Sequence, residues 1–341
     1  MNGSVLLTGG LGYIGSHISI ELLNRGYQVI IVDNLFNSKI ETLDKIASLT
    51  GKTPHFYNID ILTDYSKLEN VFEVYRDTIC GVIHLAGKKA VAESQEQPID
   101  YYQNNITSTL NLLEIMRKNS VYNLIFSSSA TVYGNREPPF SEHTPIGSGI
   151  TNPYGKSKYF IEEILMDLVE SERENDTFKW NIIALRYFNP VGNHSSGEIG
   201  ENPNNRPNNL MPVLIQSILN KTTLNIFGND YTETLDGTCE RDFIHVCDLA
   251  TAHVKAIEYF KPGYSTYNIG TGKPTSVLEL INTFENENGI KINYSFSERR
   301  PGDLPRVYCQ KSSRGLGWEP QYSLKDICRH TWKYIIKNKN V

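Results

Sequence analysis

The feature that most constrains the fold is an alternation of short apolar runs with amphipathic stretches. SVLLT (4–8), QVIIVD (28–33), HFYNI (55–59), GVIHLA (81–86), NLIFSS (123–128) and NIIALRYF (181–188) are rich in Val and Ile and have the length of strands buried on both faces. Between them, YIGSHISIELLNRG, KIETLDKIASLT, SKLENVFEVYRD, YYQNNITSTLNLLEIMRKN and YGKSKYFIEEILMDLVESE carry apolar residues three and four apart, the spacing of one helix face. Strand and helix taken in turn predict an α/β fold, a doubly wound parallel sheet with helices on both sides. The pattern breaks after Asn189, where PVGNHSSGEIGENPNNRPNN (190–209) is too rich in Gly, Asn, Pro and Ser to form an element. We therefore expect one domain over 1–189 and a smaller mixed α/β domain over 190–341.

The first strand leads straight into GGLGYIG (9–15), and a helix pattern opens near Tyr13. Gly9, Gly12 and Gly15 permit a tight turn and a close backbone approach, so the helix N-terminus can hold a pyrophosphate. Asp33 closes the second strand about 20 residues on, where a carboxylate accepts hydrogen bonds from an adenosine ribose and repels a 2′-phosphate. This Rossmann-type arrangement predicts NAD rather than NADP. Its G-x-x-G-x-x-G spacing resembles the extended branch of the short-chain dehydrogenase/reductase superfamily.

Tyr154 and Lys158 stand four apart in NPYGKSK (152–158), the one Tyr-x-x-x-Lys among 20 tyrosines. On a helix they share a face. Spacing alone is what chance supplies, but this helix follows the fifth strand, whose end, SSSATVYG, places Ser129 at the same rim of the sheet, where open α/β sheets bind their ligands. A tyrosine, ordinarily near pKa 10, becomes a usable base when an ammonium and a cationic nicotinamide favour its phenolate. Lys158 also suits the nicotinamide ribose, and Ser129 suits a substrate hydroxyl.

Composition narrows the partners. Charged residues are 21% of the chain and the net charge is −5, which gives no field for nucleic acid or an anionic membrane. No apolar run approaches the roughly 20 residues of a membrane span. The opening MNGSVLLTGG has no basic segment of the secretory kind, and the five scattered cysteines form no C-x-x-C, so a cytoplasmic location is expected.

Taken together, TGGLGYIGSH, VDNLFNS, HLAGKKAV, YYQNNI, FSSSATVYG, PYGKSK, LRYFNPVG, PNNLMP, IFGNDY, RDFIHV and GDLP resemble the UDP-galactose 4-epimerase family almost end to end. The resemblance implies NAD as cofactor, a UDP-sugar as substrate and a homodimer formed by the helices near 100–119 and 154–173. It implies that Gly9, Gly12, Tyr13, Ile14 and Gly15 surround the NAD pyrophosphate. Asp33, Asn34, Asn37 and Ser38 would serve the adenosine ribose, and Asp60 and Ile61 the adenine. Leu85, Ala86, Gly87, Lys89, Asn104 and Ser127 would line the remaining cofactor path together with Tyr154, Lys158 and Tyr187. On the sugar-nucleotide side the matching positions are Ser129, Asn189, Asn209, Leu210, Asn225, Phe227, Arg241, Arg300 and Asp303, and two of these, Arg241 and Arg300, have the charge a diphosphate needs. The implied reaction is C4 epimerisation of UDP-glucose and UDP-galactose through a transient 4-keto sugar.

Two alternatives use the same fold. A nucleotide-sugar 4,6-dehydratase needs an Asp-Glu pair before V-Y-G, where this chain has Ala130 and Thr131, neither able to move the required protons. A non-catalytic NAD sensor would not need Ser129, Tyr154 and Lys158 together. In the family, the position of Val307 gates the space beside the sugar's 2-substituent. A valine there predicts that UDP-GlcNAc and UDP-GalNAc are also accepted.

Overall fold

A computed structural model describes residues 2–174, 178–202, 209–300, 302–310 and 314–339. The chain begins with β1 (Ser4–Thr8), α1 (Tyr13–Asn24), β2 (Gln28–Asp33), α2 (Thr42–Thr50), β3 (His55–Asn58), α3 (Tyr65–Val74) and β4 (Ile79–His84). It continues with α4 (Val91–Glu96), α5 (Pro98–Tyr102), α6 (Ser108–Lys118), β5 (Asn123–Ser129), α7 (Pro153–Glu174) and β6 (Asn181–Tyr187). Beyond these come β7 (Asn189–Val191), α8 (Leu210–Asn220), β8 (Leu224–Phe227), β9 (Glu240–Arg241), β10 (Phe243–His245), α9 (Val246–Glu258) and β11 (Gly263–Ile269). The last elements are β12 (Thr275–Ser276), α10 (Val277–Asn288), β13 (Tyr294–Ser297), β14 (Arg306–Val307) and α11 (Leu324–Lys339).

Seven strands form one sheet in the order β3-β2-β1-β4-β5-β6-β11, every neighbouring pair parallel. Successive residues of each strand go to opposite faces, and both faces are covered, which is why the strands read as unbroken apolar runs. Leu6, Ile30, Val82 and Phe126 pack under α3, α6 and α7. Val5, Leu7, Ile31 and Ile83 pack under α1, α2 and α9. Each such side chain contributes about 1.5–3 kcal/mol on burial. A separate core, with Leu214, Leu280, Phe284 and Ile335, lies between α8, α10, α11 and β8.

The main sheet does not end at residue 189. β11 pairs with β6 along its whole length, and α9 packs against α1, so residues 246–269 return to the sheet. GYSTYNI is mostly half-buried at this edge, and its sequence therefore lacks the Val/Ile density that marked the inner strands. The stretch expected as one helix over 101–119 contains a wide π-helical turn, Gln103–Thr107, between α5 and α6. Such a turn inserts a residue into the helix and often accompanies a functional site.

The polar stretch after Asn189 is held in place as far as it is described. Lys333 Nζ donates to Ser195 O at 2.6 Å, Asn338 Nδ2 to Gly197 O at 2.8 Å, and Lys45 Nζ of α2 to Glu198 O at 3.0 Å. Helix α11 and helix α2 together pin this segment across the mouth of the sheet.

Candidate active site

Strand order reverses between β1 and β4, and their carboxyl ends open a crevice there. Thr8 ties the two ends together, its Oγ1 accepting from Leu85 N and Ala86 N, both at 3.2 Å. The glycine turn spans this crevice. Gly9 has φ +69°, a conformation that strains other residues. A Cβ on Gly15 would lie 2.3 Å from the Gly9 carbonyl, so helix and turn can meet only through glycine. No side chain caps α1 at Gly12, which leaves its first N–H groups for an anion.

Asp33 is nearly buried at the tip of β2, and its carboxylate accepts from Leu11 N at 3.0 Å, Leu35 N at 2.9 Å and Ser38 Oγ at 2.7 Å. These bonds fix its orientation beside the turn and leave acceptor capacity for ribose hydroxyls. Asn34 donates to Asp60 at 2.9 Å, joining the tips of β2 and β3. A bare helix N-terminus, a glycine cradle and a fixed acceptor fit NAD.

Across the crevice, Ser129 ends β5, and Tyr154 and Lys158 lie on the first turns of α7. Lys158 is buried, and its Nζ donates to Ser127 O at 2.6 Å, 4.8 Å from the centre of the Phe126 ring. Burial lowers its pKa from 10.5 to about 8, against the pull of the Glu162 carboxylate. Burial also raises the Tyr154 phenol, with the Ser129 hydroxyl opposing. The groups of this chain therefore leave the Tyr154 phenol above its ordinary range.

The opposite wall comes from the second half of the chain. Arg241 donates to Leu304 O at 2.9 Å and lies 3.8 Å from Asp303. Arg300 pairs with the same carboxylate at 2.8 Å and stacks over the Phe227 ring at 5.0 Å. Asp303 thus holds two guanidinium groups toward one space, beside an aromatic face.

The glycine turn, Asp33, Ser129, Tyr154, Lys158, Arg241, Arg300 and Asp303 line one cavity of about 1290 Å³. That exceeds the usual volume for a single small ligand, roughly 300–1,000 Å³, and leaves room for two nucleotides. Of the residues expected from the sequence, the cavity brings together every cofactor position, from Gly9 to Tyr187, and every sugar-nucleotide position from Ser129 to Asp303. Val307 is the exception. Its side chain packs with Ala130, Tyr133, Phe140, Phe188 and Cys309, and of that cluster only Phe188 lines the cavity.

Several residues of the site were not singled out from the sequence. Asn105, in the π-helical turn, accepts from Lys88 N at 2.8 Å and donates to Ser157 Oγ at 3.0 Å, and Ser157 Oγ donates to Tyr154 O at 2.7 Å. It thereby ties the loop after β4 to the first turn of α7. Glu162 lies one turn beyond Lys158, fully buried, and binds Arg186 of β6 at 2.6 Å, with Ser128 and Tyr264 donating to the same carboxylate. Arg186 was detectable as the one charge inside an apolar run, because an arginine is rarely buried without a partner. Glu201 also lines the cavity, 3.8 Å from Lys89, with its pKa raised by burial.

Comparison with known proteins agrees with this geometry. Residues 5–270 match the NAD dependent epimerase/dehydratase family. The UDP-glucose 4-epimerase of Bacillus subtilis (strain 168) is 47% identical, over 99% of this chain and 98% of its own. That of Homo sapiens is 46% identical over 99% and 98%. The crystal structure of UDP-glucose 4-epimerase from Bifidobacterium longum in complex with NAD+ and UDP superposes with a TM-score of 0.91 at 45% identity, covering 99% of both chains.

Proposed function

We infer the reaction from a fixed premise: the chain belongs to the NAD dependent epimerase/dehydratase family, among its UDP-glucose 4-epimerases. It interconverts UDP-glucose and UDP-galactose at C4 with NAD. The observation that carries this reading is the meeting of Ser129, Tyr154 and Lys158 with the glycine turn and the Arg241–Asp303–Arg300 group in one cavity. The glycine turn, Asp33 and the residues expected along the cofactor path support NAD binding on one side. Asn209, Asn225, Phe227, Arg241 and Arg300 support a UDP moiety on the other. The sugar then lies between them, against Tyr154.

NAD, when bound, supplies the cationic ring and the acceptor for hydrogen from C4. Tyr154 accepts the proton of the 4-hydroxyl and later returns it, and Ser129 holds the same oxygen. Lys158, cationic below about pH 8, favours the phenolate of Tyr154 in the loaded site. The keto sugar turns within the cavity before hydrogen returns to its other face, so no net oxidation occurs. Ala130 and Thr131, following Ser129, provide no acid–base pair for dehydration.

A second reading adds UDP-GlcNAc and UDP-GalNAc. It is favoured by Val307, which contacts the cluster containing Phe188 and takes less of that corner than a tyrosine would. Both readings meet one assay series on the purified protein without added NAD, using both sugar pairs beside Tyr154→Phe. Tyr154→Phe keeps its NAD and loses at least a hundred-fold in kcat, the scale of a removed general base. Near-full activity in that variant refutes the assigned base, and UDP-GalNAc left untouched at high enzyme refutes the wider range.

A homodimer is supported by Ile99, Leu110 and Phe160, large apolar side chains exposed on α5, α6 and α7, while Leu112, Ile115, Ile161 and Leu165 of the same helices lie in the core. Sedimentation at twice the chain mass checks it.

A further inference from the structure

Two phenols line the cavity beside the nicotinamide path, Tyr154 on α7 and Tyr187 at the end of β6, and they are close enough to interact electrostatically. Only one of them can be the proton acceptor without ambiguity, and the fold treats them differently. Tyr187 Oη lies 2.5 Å from His253 Nε2, and His253, on α9, is fully buried. His253 Nδ1 is 2.8 Å from Leu249 O. A carbonyl can only accept, so Nδ1 carries the imidazole proton and Nε2 is a bare lone pair. Tyr187 must therefore be the donor. The Ser127 hydroxyl, a second neighbour of the phenol, opposes the rise of its pKa that burial causes. The chain Tyr187 to His253 to Leu249 points its protons away from the cavity and into the core beneath the sheet.

We propose that His253 is a positioning residue of the reaction: it captures the Tyr187 proton, so that Tyr154 is the only phenol free to exchange a proton with the sugar. Among the described residues His253 is the acceptor that Tyr187 meets, and Tyr187 is 6% exposed. Without the imidazole, a buried O–H seeks another acceptor. The groups beside it are Ser127 and Tyr154, and a hydrogen bond donated to the Tyr154 phenolate would weaken it as a base. Burial lowers His253 to about pKa 4, so it stays a neutral acceptor throughout the working range. The device reaches the site from α9, in the part of the chain beyond residue 190 that returns to the main sheet.

This inference rests on the reading of Tyr154 as base, which Tyr154→Phe tests by itself. The separate test compares His253→Leu and His253→Gln, each in the wild-type and the Tyr187→Phe background, with kcat counted per NAD-loaded site and thermal unfolding followed in parallel. Gln places an amide oxygen near the position of Nε2, and Leu removes the acceptor. His253→Leu should lower kcat about ten-fold with KM for UDP-galactose within two-fold, the size of coupling between neighbouring groups. His253→Gln should recover most of that loss. In the Tyr187→Phe background, where no phenolic proton needs an acceptor, His253→Leu should add no further loss of kcat. A purely structural role would lower the unfolding temperature equally in both backgrounds and leave kcat per loaded site unchanged. Wild-type kcat in His253→Leu, or losses that simply add in the double variant, overturns the proposal.

Discussion

Replacing Lys158 by Met should make the cofactor-free protein more stable at neutral pH while removing its activity. Lys158 is 5% exposed, and the partners of its ammonium are one carbonyl, Ser127 O, and the face of Phe126. The Glu162 carboxylate one turn away is already committed to Arg186, Ser128 and Tyr264. Lowering the group from 10.5 to about 8 means that holding its charge at pH 7 costs ~3 kcal/mol. Met keeps most of the apolar stem and forfeits the bond to Ser127 O, worth about 1 kcal/mol. The variant should therefore gain about 2 kcal/mol at pH 7. The unfolded lysine keeps its proton up to about pH 10, whereas the folded one releases it near 8, so between these values the unfolded state binds more protons and wild-type stability rises with pH. The advantage of Met should shrink through that window and vanish by about pH 10. Urea unfolding of both cofactor-free proteins at pH 7 and pH 9.5 measures it. A Met variant less stable than wild type at pH 7, by an amount independent of pH, refutes the reasoning.

Two further outcomes follow from the packing. Gly15→Ala places a methyl 2.3 Å from the Gly9 carbonyl and 2.7 Å from Gly10 Cα, both backbone atoms, so the purified variant should carry little NAD per chain by absorbance. Normal NAD content would show that the turn has more freedom than this contact allows. Glu162→Leu leaves Arg186 buried without its carboxylate, a loss of about 3–5 kcal/mol in urea unfolding, and a loss below 1 kcal/mol would contradict the pairing.

The inner strands β1, β2, β4, β5 and β6 were legible because both their faces are largely buried, so apolar residues dominate them. β11 was not, because GYSTYNI is mostly half-buried and its Gly, Ser, Thr and Asn read like a loop. Beyond the break in pattern at residue 189, α9 and β11 return to the main sheet. Gly9, Gly12, Gly15, Asp33, Ser129, Tyr154 and Lys158 could be read from motif positions, while most other cavity residues came from the family resemblance. Those that hold them could not be read in either way. Asn105 acts through a π-helical turn that disturbs the usual helix spacing, and His253 meets Tyr187 across 66 residues of chain. Glu162 offered a signal, since Tyr154, Lys158 and Glu162 repeat at four-residue intervals along one helix face. Val307, placed beside the sugar's 2-substituent by its family position, packs against the cluster that holds Phe140 and Phe188, and a two-residue strand gives no periodicity from which that packing could be read.

The central claim, that Tyr154 and a retained NAD move hydrogen off C4 and back within one site, is tested most directly with UDP-galactose deuterated at C4 and no added nucleotide. The account predicts UDP-glucose that keeps its deuterium at C4, formed by the protein as purified. Product that has lost the label, or conversion that occurs only when NAD is supplied in solution, would contradict it.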